Sequence, residues 1–153
     1  MTIRRSAVLA RLRSANHVDS YAEALCMLVT GAHDKPYEGA SAVKVERLDT
    51  YNILILAHHR QVIGRYAHVF STEDNLVVGR YEFLLMPALY EGASTVPIKI
   101  FDFSFNYEGE FRLTNDPLNR EFLYCNPDDY YKPLMRDAIL NHVLGALQES
   151  LSE

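Results

Sequence analysis

Histidines, cysteines and paired carboxylates are the residues with which this chain could do chemistry. Of its six histidines, His58 and His59 are adjacent and His68 follows on the next predicted strand. In a hairpin of that length, His58 and His59 sit at the tip and His68 near the base, roughly 20 Å away at about 3.3 Å per residue. Metal ligands must converge on one ion, so neither a metal nor another cofactor is expected. Cys26 lies in the apolar run Leu25-Cys26-Met27-Leu28-Val29 and reads as a small buried hydrophobe. Cys125, in Tyr124-Cys125-Asn126-Pro127, has no neighbour that would lower its thiol pKa. Glu108 and Glu110 flank Gly109 in a turn. Asp128 and Asp129 precede a helix, where carboxylates suit the positive end of the dipole. No GxSxG, HExxH, Walker A or GxGxxG pattern occurs, and catalytic residues stay unassigned.

The elements that must position these groups follow from periodicity. Residues 3–30 carry apolar side chains at helical spacing, with a break expected near Ser14–Val18, Asp19 capping the second segment and Gly31 ending it. Val43–Leu48, Tyr51–Ala57, Val62–Phe70 and Leu76–Met86 are β-rich runs joined by short polar segments, the pattern of an antiparallel meander. Ile98–Asn106 and Phe111–Leu113 form a last hairpin, in which Phe101, Phe103, Phe105 and Tyr107 make an aromatic stripe expected to be core. After Asn126-Pro127-Asp128-Asp129 the chain turns helical, and Leu134, Ala138, Leu140, Leu144, Leu147 and Leu151 supply an apolar face. The expected fold is α+β: an antiparallel meander of five to six strands, with the terminal helices packed mainly on one face.

Turn lengths predict a register. A two-residue turn at Asp49-Thr50 sets Leu48 opposite Tyr51, a four-residue turn at His58–Gln61 sets Ala57 opposite Val62, and a loop at Ser71–Asn75 sets Phe70 opposite Leu76. Side chains alternate along strands, so this register sorts them into two faces. Val43, Val45, Leu54, Leu56, Ile63, Ala67, Val69, Val77, Tyr81, Phe83 and Leu85 fall on the core face, with Arg47, Asn52 and Arg65 as its polar members. Lys44, Glu46, Tyr51, Ile53, Ile55, Tyr66, His68, Arg80 and Glu82 fall on the other. Tyr51, Tyr66, His68, Arg80 and Glu82 are therefore the expected interaction surface, because Tyr and Arg bury much area while keeping a polar handle. The alternative is a solvated face laced with cross-strand ion pairs.

Composition narrows the function classes. The chain has 153 residues, 48% hydrophobic and 23% charged, which fits one globular domain spanning 1–153. Arg4, Arg5, Arg11 and Arg13 give residues 1–18 a charge of +4, while 11 basic and 20 acidic side chains give the rest −9. An acidic body argues against broad nucleic-acid binding. No apolar stretch is long enough for a membrane helix, and Arg11 and Arg13 interrupt any signal-like run. Two cysteines in a chain with so large a core suggest a reducing, cytoplasmic setting.

The leading expectation is a non-catalytic protein-binding module: an adaptor, inhibitor, immunity protein or chaperone. Small acidic size and terminal amphipathic helices resemble type III secretion chaperones, a resemblance that no motif carries. The alternatives are a small-molecule binder or enzyme using His68 as acid–base and Arg80 as anion anchor, and a nucleic-acid binder led by the N-terminal arginines. Exposed sheet edges also suit a homodimer.

Overall fold

The structure, a computed structural model, describes residues 5–33, 35–71, 76–88, 96–111, 113, 123–124 and 132–152. Arg4, Cys125, Asn126, Pro127, Asp128 and Asp129 lie outside the described residues, as does most of the predicted loop at 71–75.

Helix α1 (Arg5–Thr30) leads into β1 (Val43–Arg47), β2 (Ile53–Ala57), β3 (Arg60–Phe70), β4 (Val77–Leu85) and β5 (Ile98–Phe105). The two-residue strands β6 (Glu110–Phe111) and β7 (Leu123–Tyr124) follow, and helix α2 (Lys132–Ser150) comes last. The strands form one antiparallel sheet in the order β1-β2-β3-β4-β5-β6-β7, a meander throughout. The fold is α+β, as the alternation of apolar residues implies.

The register differs from expectation at all three turns, and at the first and third the slip is a single residue, which inverts two strands. Asp49 Oδ1 accepts from the backbone N–H of both Tyr51 (2.9 Å) and Asn52 (2.8 Å). This side-chain turn draws Tyr51 into the loop, so Leu48 pairs with Asn52 instead of Tyr51. Those bonds to the charged form also hold the Asp49 carboxyl below its usual range. At the third turn Phe70 pairs with Val77, again one residue from the expected partner. Each single-residue slip exchanges the faces of every residue beyond it, and the two cancel. Strands β1 and β4 thus carry the expected faces, while β2 and β3 are reversed. Ile53, Ile55 and Val62 are core, and Leu54, Leu56, Ile63, Ala67 and Val69 lie on the opposite face.

The hairpin joining β2 and β3 is tighter than predicted. Ala57 pairs with Arg60, leaving His58 and His59 as a two-residue turn, and both have positive φ (53° and 59°). This is the twist-matched geometry that Asn-Gly adopts most readily. Left-handed backbone costs a side-chain-bearing residue about 1–2 kcal/mol. Replacing His58-His59 by Asn-Gly should therefore stabilise the protein by about 1 kcal/mol, after loss of the 3.2 Å Gln148–His58 contact. Thermal melting should show a midpoint about 2–4 °C higher. A lower midpoint would mean that the imidazole contacts outweigh the strain.

Helix α1 is continuous where a break was expected. Ser14 is buried and stays helical because its hydroxyl donates to the Arg11 carbonyl (3.0 Å), while its oxygen accepts the Val77 N–H at the start of β4 (2.8 Å). Further along, Tyr81 Oη is within hydrogen-bond distance of the Ala22 and Tyr51 carbonyls, and Glu23 pairs with Arg47 at 3.6 Å. Polar positions that suggest a helix end thus fasten the helix to the sheet. Gly31 follows the helix as predicted, its N–H bonded to the Met27 carbonyl.

The core joins both helices to one sheet face. Helix α1 contributes Val18, Ala22, Leu25, Cys26, Leu28 and Val29, and α2 contributes Met135, Ile139, Leu140, Val143, Leu144 and Leu147. Phe103 and Phe105 are buried and Phe101 stacks on His142 of α2, so these three of the predicted stripe are core, whereas Tyr107 lies past the end of β5 and is 42% exposed. Cys26 is fully buried, and burial pushes its thiol pKa up. Among the described residues no helix is long and apolar enough to cross a membrane.

Candidate functional site

Strand β3 is 11 residues long, and its alternate residues Val62, Gly64, Tyr66, His68 and Phe70 face the helices. Helix α1 runs about 39 Å at 1.5 Å per residue. Its buried residues begin at Ser14, so the first turns lie over the far ends of β3 and β4 without being enclosed by them.

Between these elements lies a groove of about 250 Å³, lined by Val8, Arg11, Leu12 and Ala15 of α1, His68 and Phe70 of β3, and Val77 of β4. Val8 is 42% exposed, Leu12 58% and Phe70 61%. The Arg11 guanidinium sits 5.8 Å from the Phe70 ring centroid, a cation–π distance. Apolar side chains at i and i+4 on the helix, facing an exposed ring on the strand, make a surface suited to another apolar group.

His68 closes the inner end of this groove. Its Nε2 donates to Asp19 Oδ1 at 2.7 Å, and the same oxygen accepts the Tyr66 hydroxyl at 2.7 Å. Tyr66 packs against Tyr51 at 5.1 Å between ring centroids. Burial, then the carboxylates of Asp19 and Glu23, push the Tyr51 phenol pKa up. Asp19 is thus a mid-helix acceptor for two strand side chains, not the helix cap its sequence context suggested. Among the described residues no Ser, Thr or Cys hydrogen-bonds His68, so the pair is not extended into a nucleophilic triad.

The five residues predicted to share one surface are divided. Tyr51, Tyr66 and His68 face α1, whereas Arg80 and Glu82 lie on the opposite face. There Glu82 stands directly across from Arg65, with their side chains 3.1 Å apart, and Arg80 is 3.8 Å from Glu82. A single pocket with His68 as acid–base and Arg80 as anchor is not formed, because the register of β3 differs by one residue from the predicted one. Sequence reasoning also missed Val8, Leu12 and Phe70, whose exposure depends on how far the sheet reaches under α1.

His58 and His59 do sit at a hairpin tip, far from His68. They line an open cleft of about 800 Å³ with Tyr37, Arg60, Gln61, Leu144 and Gln148. Among the described residues no group of three or more His, Cys, Asp or Glu side chains is placed to hold a metal ion. Glu108 and Glu110 meet at the β5–β6 turn, where a hydrogen bond between the two carboxyls, then burial and charge repulsion, raises the Glu110 pKa. Gly109, with φ of 82°, makes that turn possible. No protein-family model matches the chain, and neither a curated protein nor a solved structure matches it.

Proposed function

We propose that this chain is a non-catalytic protein-binding module, of the adaptor, inhibitor, immunity-protein or chaperone-like kind, acting in the cytoplasm. Its docking surface is the N-terminal half of α1 together with Phe70, and its partner is an apolar-faced segment flanked by acidic residues. The observation that carries this is the joint exposure of Val8, Leu12 and Phe70 around one groove. Charge supports the partner's chemistry. Arg11 lines the groove, and Arg5 and Arg13 lie on the same stretch of helix, which has no acid before Asp19, while the rest of the chain is acidic. An acidic segment is attracted to this end and repelled elsewhere, which gives position and specificity more than raw affinity.

The test is selection of random peptides displayed on phage against the intact protein, followed by titration of the enriched sequences as synthetic peptides. Expected winners carry two or more large apolar residues flanked by Asp or Glu. They should bind Leu12→Asp and Phe70→Ser at least about tenfold more weakly, as loss of an interface anchor implies. Both side chains are largely exposed, so these variants should keep the wild-type circular dichroism. Winners without acidic bias, or undiminished binding to Leu12→Asp, would overturn the reading. So would tighter binding of a polyuridine 20-mer than of any peptide, which would move the arginines to a nucleic-acid role.

A further inference from the structure

We propose that two copies of this chain join edge to edge through β1, paired antiparallel about Val45, so that their sheets become one. Among the described residues, strand β1 ends the sheet order and pairs with β2 alone. The Leu48 N–H bonds to the Asn52 carbonyl at 2.9 Å, which makes Leu48–Asn52 a hydrogen-bonded pair. Such pairs alternate along an antiparallel ladder. Glu46 and Lys44 therefore also direct their N–H and C=O groups to β2, while those of Val43, Val45 and Arg47 point to the open edge.

A two-fold axis at Val45 uses all three outward residues. Val45 meets Val45 of the second copy, and Val43 meets Arg47 twice, for about six new backbone hydrogen bonds. Every other centring within the strand is poorer. An axis at Lys44, Glu46 or Arg47 sets like charges directly opposite each other. An axis at Val43 leaves Arg47 unmatched.

Charge then selects the same register. With the axis at Val45, Lys44 lies opposite Glu46 of the second copy, and Glu46 opposite Lys44. These are non-hydrogen-bonded pairs, whose side chains approach most closely across a ladder. Within one chain Lys44 and Glu46 already pair at 2.8 Å, with their side chains 69% and 42% exposed. Two such pairs interleave into a ladder of four alternating charges. A lysine on an edge strand usually discourages pairing with other chains. Here Val-Lys-Val-Glu-Arg is complementary to itself in the antiparallel sense, so it blocks generic partners and accepts its own copy.

Five residues make a small contact, well below the area of a standard stable interface, so a dissociation constant on the order of 10 µM is expected. The groove of the proposed function is built on β3 and β4, and the two surfaces can be tested separately.

The experiment is sedimentation equilibrium of the intact protein from about 1 to 200 µM, a range that brackets that constant. Wild type should shift from monomer to dimer. Lys44→Glu and Glu46→Lys should each raise the dissociation constant at least about tenfold, through two like-charge pairs per dimer. An equimolar mixture of these two variants, and the double variant Lys44→Glu/Glu46→Lys, should both recover it. The substituted side chains are exposed, and unchanged circular dichroism checks folding. A wild type that stays monomeric throughout overturns the proposal. Dimerisation unaffected by Lys44→Glu does so too, as does a mixture that fails to recover.

Discussion

Phe105→Ala is expected to destabilise the protein by about 3–5 kcal/mol, the range for truncating a buried aromatic ring. The Phe105 ring is 1% exposed and sits where three strands converge. Its centroid lies 6.1 Å from Tyr66, 6.2 Å from Tyr81 and 6.5 Å from Phe103. Its strand partner is Gly79, and a Cβ added there would stand 2.4 Å from the ring. The ring thus occupies the space a side chain on β4 would otherwise fill. Gly64 and Phe83 repeat the arrangement between β3 and β4, at 2.7 Å. A cavity left at Phe105 is bounded by rings fixed on other strands and by a glycine that has nothing to move into it, so little collapse is possible. Thermal and urea denaturation should agree on the loss, with a midpoint lowered by about 10 °C or more. Gly79→Ala should cost about 1–3 kcal/mol by crowding the same site from the other strand. A loss below about 1.5 kcal/mol for Phe105→Ala would show that the sheet closes over the gap.

Those aromatic pairs show which parts of the fold were legible in the sequence. Phe101, Phe103 and Phe105 alternate on one short strand, and no slip elsewhere in the chain can separate them. Their burial could be predicted without knowing any turn. The faces of β2 and β3 could not, because each depends on the exact length of a turn. Asp49 lengthens the first turn by accepting two backbone N–H groups, an interaction that a residue pattern does not announce. Tyr66 and His68 consequently face α1 instead of joining Arg80 and Glu82. Asp19 shows the same limit from the helix side. An Asp after a polar stretch reads as a cap by local rules, and only the tertiary position of Tyr66 and His68 gives it another role. Val8 and Leu12 repeat the i, i+4 spacing of Val18 and Ala22, but at about 100° per residue they stand about 80° round the helix from them. That offset, together with where the sheet ends, separates the exposed pair from the buried one.

Asp137→Ala is expected to cost about 2–3 kcal/mol, because it strands a buried cation. Arg136 is 4% exposed. Its Nε and Nη2 donate to Asp137 Oδ1 at 2.9 and 2.8 Å, and Nη2 also donates to the Lys35 carbonyl at 2.8 Å. Removing one partner of a buried pair typically costs about 3–5 kcal/mol. The lower figure expected here reflects two features. The Lys35 carbonyl still accepts, and the guanidinium borders an open pocket of about 300 Å³ through which water can reach it. Arg136→Met/Asp137→Ala should recover much of the loss, since an apolar side chain of similar length carries no stranded charge.

A second readout follows from Tyr37, whose phenol pKa is raised by burial, then by Asp137 and Glu38, and lowered by Arg136. Taking away Asp137 removes a raising charge and leaves the lowering one, so Tyr37 should ionise at lower pH in Asp137→Ala than in wild type. In the double variant both charges are gone and the shift should largely reverse. NMR of the Tyr37 ring across the alkaline range follows this directly, and equilibrium denaturation gives the stability. Loss below about 0.5 kcal/mol would mean that the carbonyl and solvent suffice for the cation, as they do for surface pairs. The contact reaches further than its two side chains. Through the Lys35 carbonyl, Arg136 ties α2 to the segment that leads into Val43, the first residue of the open sheet edge. Weakening it should therefore raise hydrogen exchange in β1 before it does so in β3 and β4, which hold the aromatic pairs.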